Sequence, residues 1–334
     1  MNLKHYHRPA LMFPSVGAVA GCAVWLNLSA GAQIPPNLIN SFKSNVGSQV
    51  QTTIILGGDY GLSGGSYTLL NPSEGNTDVK ISKFGGIGDI YPIRPLGDLG
   101  IGWQPQVQGS MGYLTGKKYY NAETLQGGDV NEDKTFAIQF GGGARFWFND
   151  QFSIAPTIMG MYGNTRNSYG AHSAFGQANQ ALAKQLGLID WNVDTWTIRP
   201  ALNFQYQYTW RRTIFTLSSD LTYYDTGDFS STSPAVNAAE NSESWETKLD
   251  VDVPLGVELF GHELRTGGYF SRTQLYDGLK DGLNTESINE VHGRLVLDFL
   301  NQLWKVQYIG IGYSYIWGDN FDGWSIGANV AFRF

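Results

Sequence analysis

The chain has one cysteine in 334 residues, Cys22, and it lies in a stretch that reads as a leader. A mature chain without cysteine has no disulfides, no thiol chemistry and no cysteine metal sites. It also suits a polypeptide that must stay unfolded in an oxidising periplasm. Charged residues are scarce, at 15%. No apolar run reaches the roughly 20 residues that a membrane-spanning helix requires, and mean hydropathy is −0.22. Helical spans are therefore excluded. Removing residues 1–32 takes away Lys4 and Arg8 and no acid, which leaves 20 basic against 29 acidic residues. That balance excludes nucleic acid as a partner.

Glycine (42 residues) and aromatics (14%) are abundant. Many aromatics and glycines without a long apolar run fit a membrane β-barrel, where lumen-facing polar residues dilute the apolar ones one in two. The last eleven residues show the pattern. Trp324, Ile326, Ala328, Val330, Phe332 and Phe334 alternate with Ser325, Gly327, Asn329, Ala331 and Arg333, so each set takes one face of a strand. The final strand, ending on Phe334, is similar to the C-terminal strand of bacterial outer-membrane barrels. That similarity implies an assembly signal made of Trp324, Ile326, Gly327, Ala328, Val330, Phe332 and Phe334, and the barrel-assembly machinery as a partner.

The N-terminus reads as a secretory signal. Lys4 and Arg8 precede an apolar stretch from about Val16 to Leu28, and Ala30-Gly31-Ala32 is an A-x-A cleavage site, which places the mature start at Gln33. The alternative is a lipoprotein signal at Val19-Ala20-Gly21-Cys22, but apolar residues continue past Cys22. Neither reading makes the segment a transmembrane anchor.

Alternation recurs along the body. Trp196, Ile198, Leu202, Phe204, Tyr206 and Tyr208 alternate with Thr197, Arg199, Asn203 and Gln205; Trp245, Leu249, Val251 and Val253 alternate with Glu246, Lys248, Asp250 and Asp252. A phase slip at Tyr308–Ile309 suggests a β-bulge. Separators alternate between short turns, near 149–150, 210–211, 260–261 and 301–302, and longer loops near 61–75, 116–133, 166–190, 227–242 and 276–285. Outer-membrane barrels have short periplasmic turns and long outer loops. The expected strands are 49–60, 76–86, 99–115, 134–148, 151–165, 191–208, 211–226, 243–256, 262–275, 286–299, 303–317 and 323–334. Ser66–Asn71 is an alternative hairpin extension within the first loop.

The fold class is thus all-β: a transmembrane antiparallel up-and-down barrel of about twelve strands. A sandwich would bury one face of each strand in a dry core. Here one face carries Trp, Tyr and Phe near strand ends, as aromatic girdles do, and the other carries charge well inside the strands. The lumen charges read from this alternation are Arg145, Arg199, Asp220, Glu246, Lys248, Asp250, Asp252, Glu290, His292, Arg294, Asp298, Lys305 and Arg333. Their expected role is a salt-bridge network that stiffens the barrel or sets ion selectivity. His292 reads as a lumen hydrogen-bond partner, with a pH-sensitive gate as the alternative.

Before the strands, Leu38, Phe42 and Val46 recur at i, i+4, i+8 after Pro36 and before Gly47, which predicts a short helix over 36–48. The expected organisation is a signal peptide at 1–32, a linker with helix at 33–48 that either enters the lumen or frays in the periplasm, and a barrel at 49–334. Together with Gly57-Gly58-Asp59-Tyr60-Gly61, Gly102-Trp103-Gln104-Pro105 and the strand Trp324–Phe334, this organisation resembles autotransporter β-domains. More closely, it resembles the solitary outer-membrane autotransporter-like barrels. With about sixteen residues between the cleavage site and the first expected strand, export of a passenger is not expected. The resemblance implies an outer-membrane location in a Gram-negative bacterium, with lipid and lipopolysaccharide as neighbours, and it supplies no activity.

Reactive chemistry is sparse. His172, with Ser168 and Ser173 nearby, is the one candidate for a rim enzyme, and nothing marks either serine as an activated nucleophile; the expectation is no enzyme. No D-x-D-x-D calcium loop is present, and no metal or cofactor is expected. In loop 166–190, Ala174, Phe175, Ala178, Ala181, Leu182 and Leu186 recur at helical spacing between an N-cap at Ser173 and a C-cap at Gly187. This reads as a loop helix packed on its neighbours, with a plug in the barrel mouth as one alternative. The leading functional expectation is a small or plugged pore or a structural barrel. A surface recognition or adhesion barrel acting through its outer loops is the alternative.

Overall fold

A computed structural model describes residues 36–56, 61–70, 76–90, 93–119, 128–236, 238–299 and 306–332. The signal peptide, its cleavage alanines Ala30 and Ala32, and Lys305, Arg333 and Phe334 lie outside the described residues. Helix α1 (Pro36–Ile55) precedes β1 (Gly61–Leu69), β2 (Thr77–Asp89), β3 (Gly102–Tyr119), β4 (Val130–Trp147) and β5 (Phe152–Gly170). Helix α2 (Ala174–Gln185) leads to β6 (Asn192–Trp210), β7 (Thr213–Ser231), β8 (Glu240–Leu259) and β9 (His262–Tyr276). Helix α3 (Asp277–Leu283) is followed by β10 (Ser287–Asp298), β11 (Val306–Gly318) and β12 (Phe321–Phe332).

Every neighbouring pair is antiparallel, and the first and last strands pair, from Leu62 opposite Ala328 to Leu69 opposite Phe321. The twelve strands therefore close into a barrel, which leaves no unpaired edge for lipid to strip of water. The strands are 9 to 20 residues long. The longest exceed the 9–11 residues, roughly, that cross a bilayer, so the sheet continues beyond it. For this reason the loops expected at 116–133, 166–190 and 227–242 are shorter than anticipated: β3 runs to Tyr119, β4 starts at Val130, β5 reaches Gly170 and β7 reaches Ser231.

The expected first strand, 49–60, is corrected. Residues 49–55 are the last turns of α1, and the closing strand is β1, in the segment expected to be a loop. Val46, Val50 and Ile54 explain the difference. They recur every four residues and are all buried, so the same β-branched residues that alternate as a strand also form one stripe of a helix. Gly47 does not stop the helix; a Cβ there would collide with Glu240.

At one end the turns are tight. Arg211 and Arg212 alone join β6 to β7, and between β8 and β9 Phe260 (φ 56°) and Gly261 (φ 77°) take the positive φ values of a type I′ turn. Asn149 Oδ1 accepts the Gln151 and Phe152 amides at 2.8 and 2.7 Å, an Asx turn. The other end carries α2 and α3. The phase slip read near Tyr308 is a register shift between Val306 and Tyr308 against β12.

Large apolar side chains point out of the barrel. Phe140, Ile158, Ile311 and Ile326 are 72%, 60%, 66% and 59% exposed, as lipid-facing residues are. The buried apolar clusters lie at the α1 end of the lumen. Val46 packs with Trp191, Val193, Val236 and Ala238; Val50 and Ile54 pack with Ala137 and Met161; and Leu56 joins Ile81, Leu114, Tyr224, Leu279 and Ile316.

Candidate functional site

The site is the lumen. It has a dry upper half filled by α1 and a wet lower half lined by charge. From Val46 onward α1 lies inside the barrel, not frayed beneath it. Gln49 Nε2 donates to Asp133 Oδ2 at 2.8 Å, Gln51 Nε2 donates to Thr226 Oγ1 at 3.0 Å, and the Lys83 ammonium donates to the Ile54 carbonyl. A wall lysine at the last carbonyls of a helix also meets the negative end of its dipole. The strand wall makes room with glycine. A Cβ at Gly163 would lie 2.6 Å from Val50 Cγ1, and one at Gly112 would lie 2.7 Å from Thr53 Cγ2. Helix α3 packs on α1 from above, with Gly282 against Ser48 and Leu279 and Leu283 in the cluster around Leu56.

Below Ile54–Leu56 lies a cavity of about 490 Å³. One wall carries a chain of ion pairs. Arg294 clasps Asp250 in a fork at 2.5 and 2.7 Å and reaches Asp252 at 4.0 Å; Arg265 holds Asp252 at 2.8 Å and Glu263 at 3.4 Å. Glu263 then meets Arg212 at 2.6 Å at the tight-turn end. Above this chain Lys248 sits 3.9 Å from Glu246 and 5.3 Å from the Tyr269 ring. The Tyr269 hydroxyl donates to Glu290 at 2.8 Å, and the Tyr269 ring stacks on His292. His292 Nδ1 and Ser314 Oγ are 2.8 Å apart. The opposite wall holds Arg145 with Gln205 at 2.6 Å and Ser153 at 3.0 Å, Asp220 accepting from Asn203 at 2.8 Å, and Arg199 near Gln139 at 3.4 Å.

A closed antiparallel barrel with a helix seated in its lumen is the setting in which the sequence comparison is decisive. Residues 94–328 match the family described as the solitary outer membrane autotransporter beta-barrel domain. The chain belongs to that family. No curated protein is significantly similar to it. The autotransporter barrel shares its fold with the transport unit of the autotransporter AIDA-I from Escherichia coli (TM-score 0.55, 10% identity, 90% of this chain and 100% of that one). It also matches the translocator domain of NalP from Neisseria meningitidis (0.52, 12%, 89% and 97%) and the β domain of the Bordetella autotransporter BrkA (0.50, 13%, 83% and 100%). At these identities the likeness is one of fold.

In this autotransporter barrel the charges read from the alternation meet as follows. Arg145, Arg199, Asp220, Glu246, Lys248, Asp250, Glu290, His292 and Arg294 all line the cavity. Asp252 joins the ion-pair chain. Asp298 lies lower, opposite Glu263 and Tyr308 in register. The alternation missed Lys83, Asp89, Gln104, Gln106, Glu263 and Arg265. Gln104-x-Gln106 alternates with Trp103-x-Pro105, so the signal for that pair was present. Lys83 was hidden because the row of β2 that faces in, Val79, Ile81 and Lys83, is mostly apolar where it meets α1 and the cluster around it.

The rim is held by Asp129, which is fully buried and accepts from the His172 and Ser173 amides at 2.7 Å, Tyr169 Oη at 2.6 Å and Ser173 Oγ at 2.8 Å. Burial pushes its carboxyl up, but the Ser173 amide, the two hydroxyls and the His172 amide outweigh that and hold it below the ordinary range. Ser173 Oγ also accepts the Gly176 amide at 2.9 Å, as the N-cap of α2. His172 meets Asp129 through its backbone, and Ser173 Oγ is engaged by Asp129 and the Gly176 amide. Helix α2 starts at the expected cap and Gly187 has φ 71°. Its face is rotated from expectation, however: Ala183 is buried while Ala174, Ala178 and Ala181 are exposed. It is α3, from the stretch expected to be a plain loop, that packs on α1.

Proposed function

We propose that this outer-membrane autotransporter-type barrel is a pore closed by its own N-terminal helix, with α3 as the latch over it. The observation that carries the reading is the seating of Val46–Leu56 inside the lumen, with the Val46 end at the helix-bearing mouth and the Ile54 end anchored by Lys83. The charged cavity below is suited to water and ions, whereas the buried apolar cluster above is not. The leader that ends at Ala32 and transit through the periplasm belong to the same proposal, as do lipid, lipopolysaccharide and the barrel-assembly machinery as partners.

The test is planar-bilayer conductance of the refolded 33–334 chain beside a 57–334 truncation and the full-length variant Val50→Asp. Channels in the truncation and in Val50→Asp, with the intact chain closed, are expected. Silence from all three in folded form would exclude the pore. A second reading, a surface recognition barrel, is supported by Asp129, which pins α2 to the rim with three alanines facing outward. Loss of surface or ligand binding on deletion of 171–189, with conductance unchanged, would favour it.

A further inference from the structure

We propose that the lumen wall formed by β3–β6 binds a small hydrophilic solute carrying a single oxyanion, such as a carboxylated sugar. This goes beyond the closed-pore reading and stands whether or not the barrel conducts. The argument starts from how the lumen treats its cations. On the β8–β10 wall, Arg294 and Arg265 are met by carboxylates at 2.5–2.8 Å. Across the cavity, Arg199 contacts Gln139 Oε1 at 3.4 Å, the Met159 sulfur at 3.5 Å and the Tyr224 ring at 5.5 Å. Among the described residues it has no ion pair. Among the described residues the carboxylate paired with Arg145 is Asp89, at 3.7 Å. That contact is made by the Arg145 Nε, whereas the buried Arg199 Nε has no acceptor.

A second observation points to the same place. Arg199 lines the cavity, and a buried polar group left unsatisfied is costly, so its guanidinium is suited to a ligand that brings an acceptor.

Shape agrees with chemistry. On β6 the inward row passes from Arg199 to Asn203 through Ala201 alone, a span of roughly 13 Å at about 3.3 Å per residue. Arg145, Arg199, Ala201 and Asn203 together line a cavity of about 490 Å³, within the roughly 300–1,000 Å³ of small-molecule sites. A guanidinium takes a carboxylate in a two-point fork, and Gln106, Gln205 and Asn203, which line the same cavity, can offer their remaining amide atoms to sugar hydroxyls. Asp89 and Asp220, which share the cavity, disfavour a second negative charge, so the solute is a monoanion.

The test is titration calorimetry of the folded mature protein in detergent with glucuronate, and with glucose as the uncharged counterpart. Glucuronate is expected to bind about tenfold or more tightly than glucose, and Arg199→Gln to remove about tenfold or more of that affinity, as loss of a charged hydrogen bond does. Equal affinity for the two sugars, no glucuronate binding to the folded wild type, or unchanged affinity in Arg199→Gln would each overturn the proposal. If circular dichroism shows Arg199→Gln unfolded, Arg199→Lys keeps the charge and loses the fork; a weakened titration supports the site, and an unchanged one overturns it. Conductance of the truncated barrel is read separately, so failure of this site is distinguishable from failure of the pore.

Discussion

The seating of α1 rests on two glycines of the wall, and replacing them tests it without altering the helix. A Cβ at Gly163 would lie 2.6 Å from Val50 Cγ1 and 2.6 Å from Thr195 Oγ1, and one at Gly112 would lie 2.7 Å from Thr53 Cγ2 and 2.8 Å from the Thr53 carbonyl. Gly163→Val and Gly112→Val therefore force α1 to shift. Valine suits a strand better than glycine, so the ladder itself is not weakened. Overpacking of this kind costs about 1–3 kcal/mol per site, which on a seated–released equilibrium is about a 5–150-fold rise in the released state. The two sites lie on different strands and press on different residues of the helix, so their effects should be near additive. The assay is hydrogen exchange of the 46–55 amides, with the amides of β6–β8 as an internal standard for an intact barrel. Exchange at 46–55 should accelerate by that factor in each variant and by the product in the double variant. Unchanged protection at 46–55 in a folded double variant would refute the claim that the helix depends on those two gaps.

Other outcomes follow from the rim and the ion-pair chain. The Asp129 carboxyl is held below its ordinary value, so its stabilising effect is present above the unfolded-state pKa of about 3.9 and is lost as pH falls through the lowered folded value. Exchange of the α2 amides should rise at the acid end of a pH series, and Asp129→Asn should flatten that dependence. Ser173→Ala removes the N-cap and should cost about 1 kcal/mol, read as faster proteolysis of the loop with the barrel intact. Arg294→Gln removes the fork on Asp250, which sits beside Asp252 on the same face of β8, while Arg265 still holds Asp252. Breaking a fully buried pair costs about 3–5 kcal/mol, and partial exposure of these side chains reduces that to about 1–3 kcal/mol; urea unfolding from micelles measures it.

Alternation carried most of the barrel because a strand facing lipid on one side and water on the other must alternate. It placed Glu246, Lys248 and Asp250 on the lumen wall and Trp245 and Leu249 outside, as they lie. It failed where the lumen is not wet. On β1, β2 and β12 the inward residues near the mouth include Tyr67, Val79, Ile81 and Phe321, all buried, because they join the apolar cluster at the α1 end. There Asp78, Lys80 and Ser82 point outward, and the rule that apolar means lipid-facing is inverted. The same dry environment turned Val50, Thr52 and Ile54 from an expected strand into a helix: period two and period four coincide on Val50 and Ile54, and the choice was made by what α1 packs against. Partners across the lumen, such as Arg265 with Asp252, are set by barrel closure, and no local pattern encodes them.

The division of the lumen into dry and wet halves bears on how α1 could leave. A helix satisfies its own backbone, so releasing it strands few main-chain groups. The side chains that hold it are spread over several wall strands: Asp133 on β4, Thr226 on β7 and Lys83 on β2. Each of them would be rehydrated by water rising from the charged cavity beneath. The apolar residues Val46, Val50 and Ile54 would not be compensated in this way. Their burial, worth about 1.5–3 kcal/mol per side chain, is the resistance to opening, and it is concentrated on one stripe of three residues. A single polar substitution in that stripe, Val50→Asp, places a carboxylate among Ile54, Ala137 and Met161. It should therefore release the helix more completely than loss of any one hydrogen bond at Gln49, Gln51 or Lys83. Conductance of Val50→Asp no higher than that of Lys83→Met would show instead that polar anchoring holds the plug.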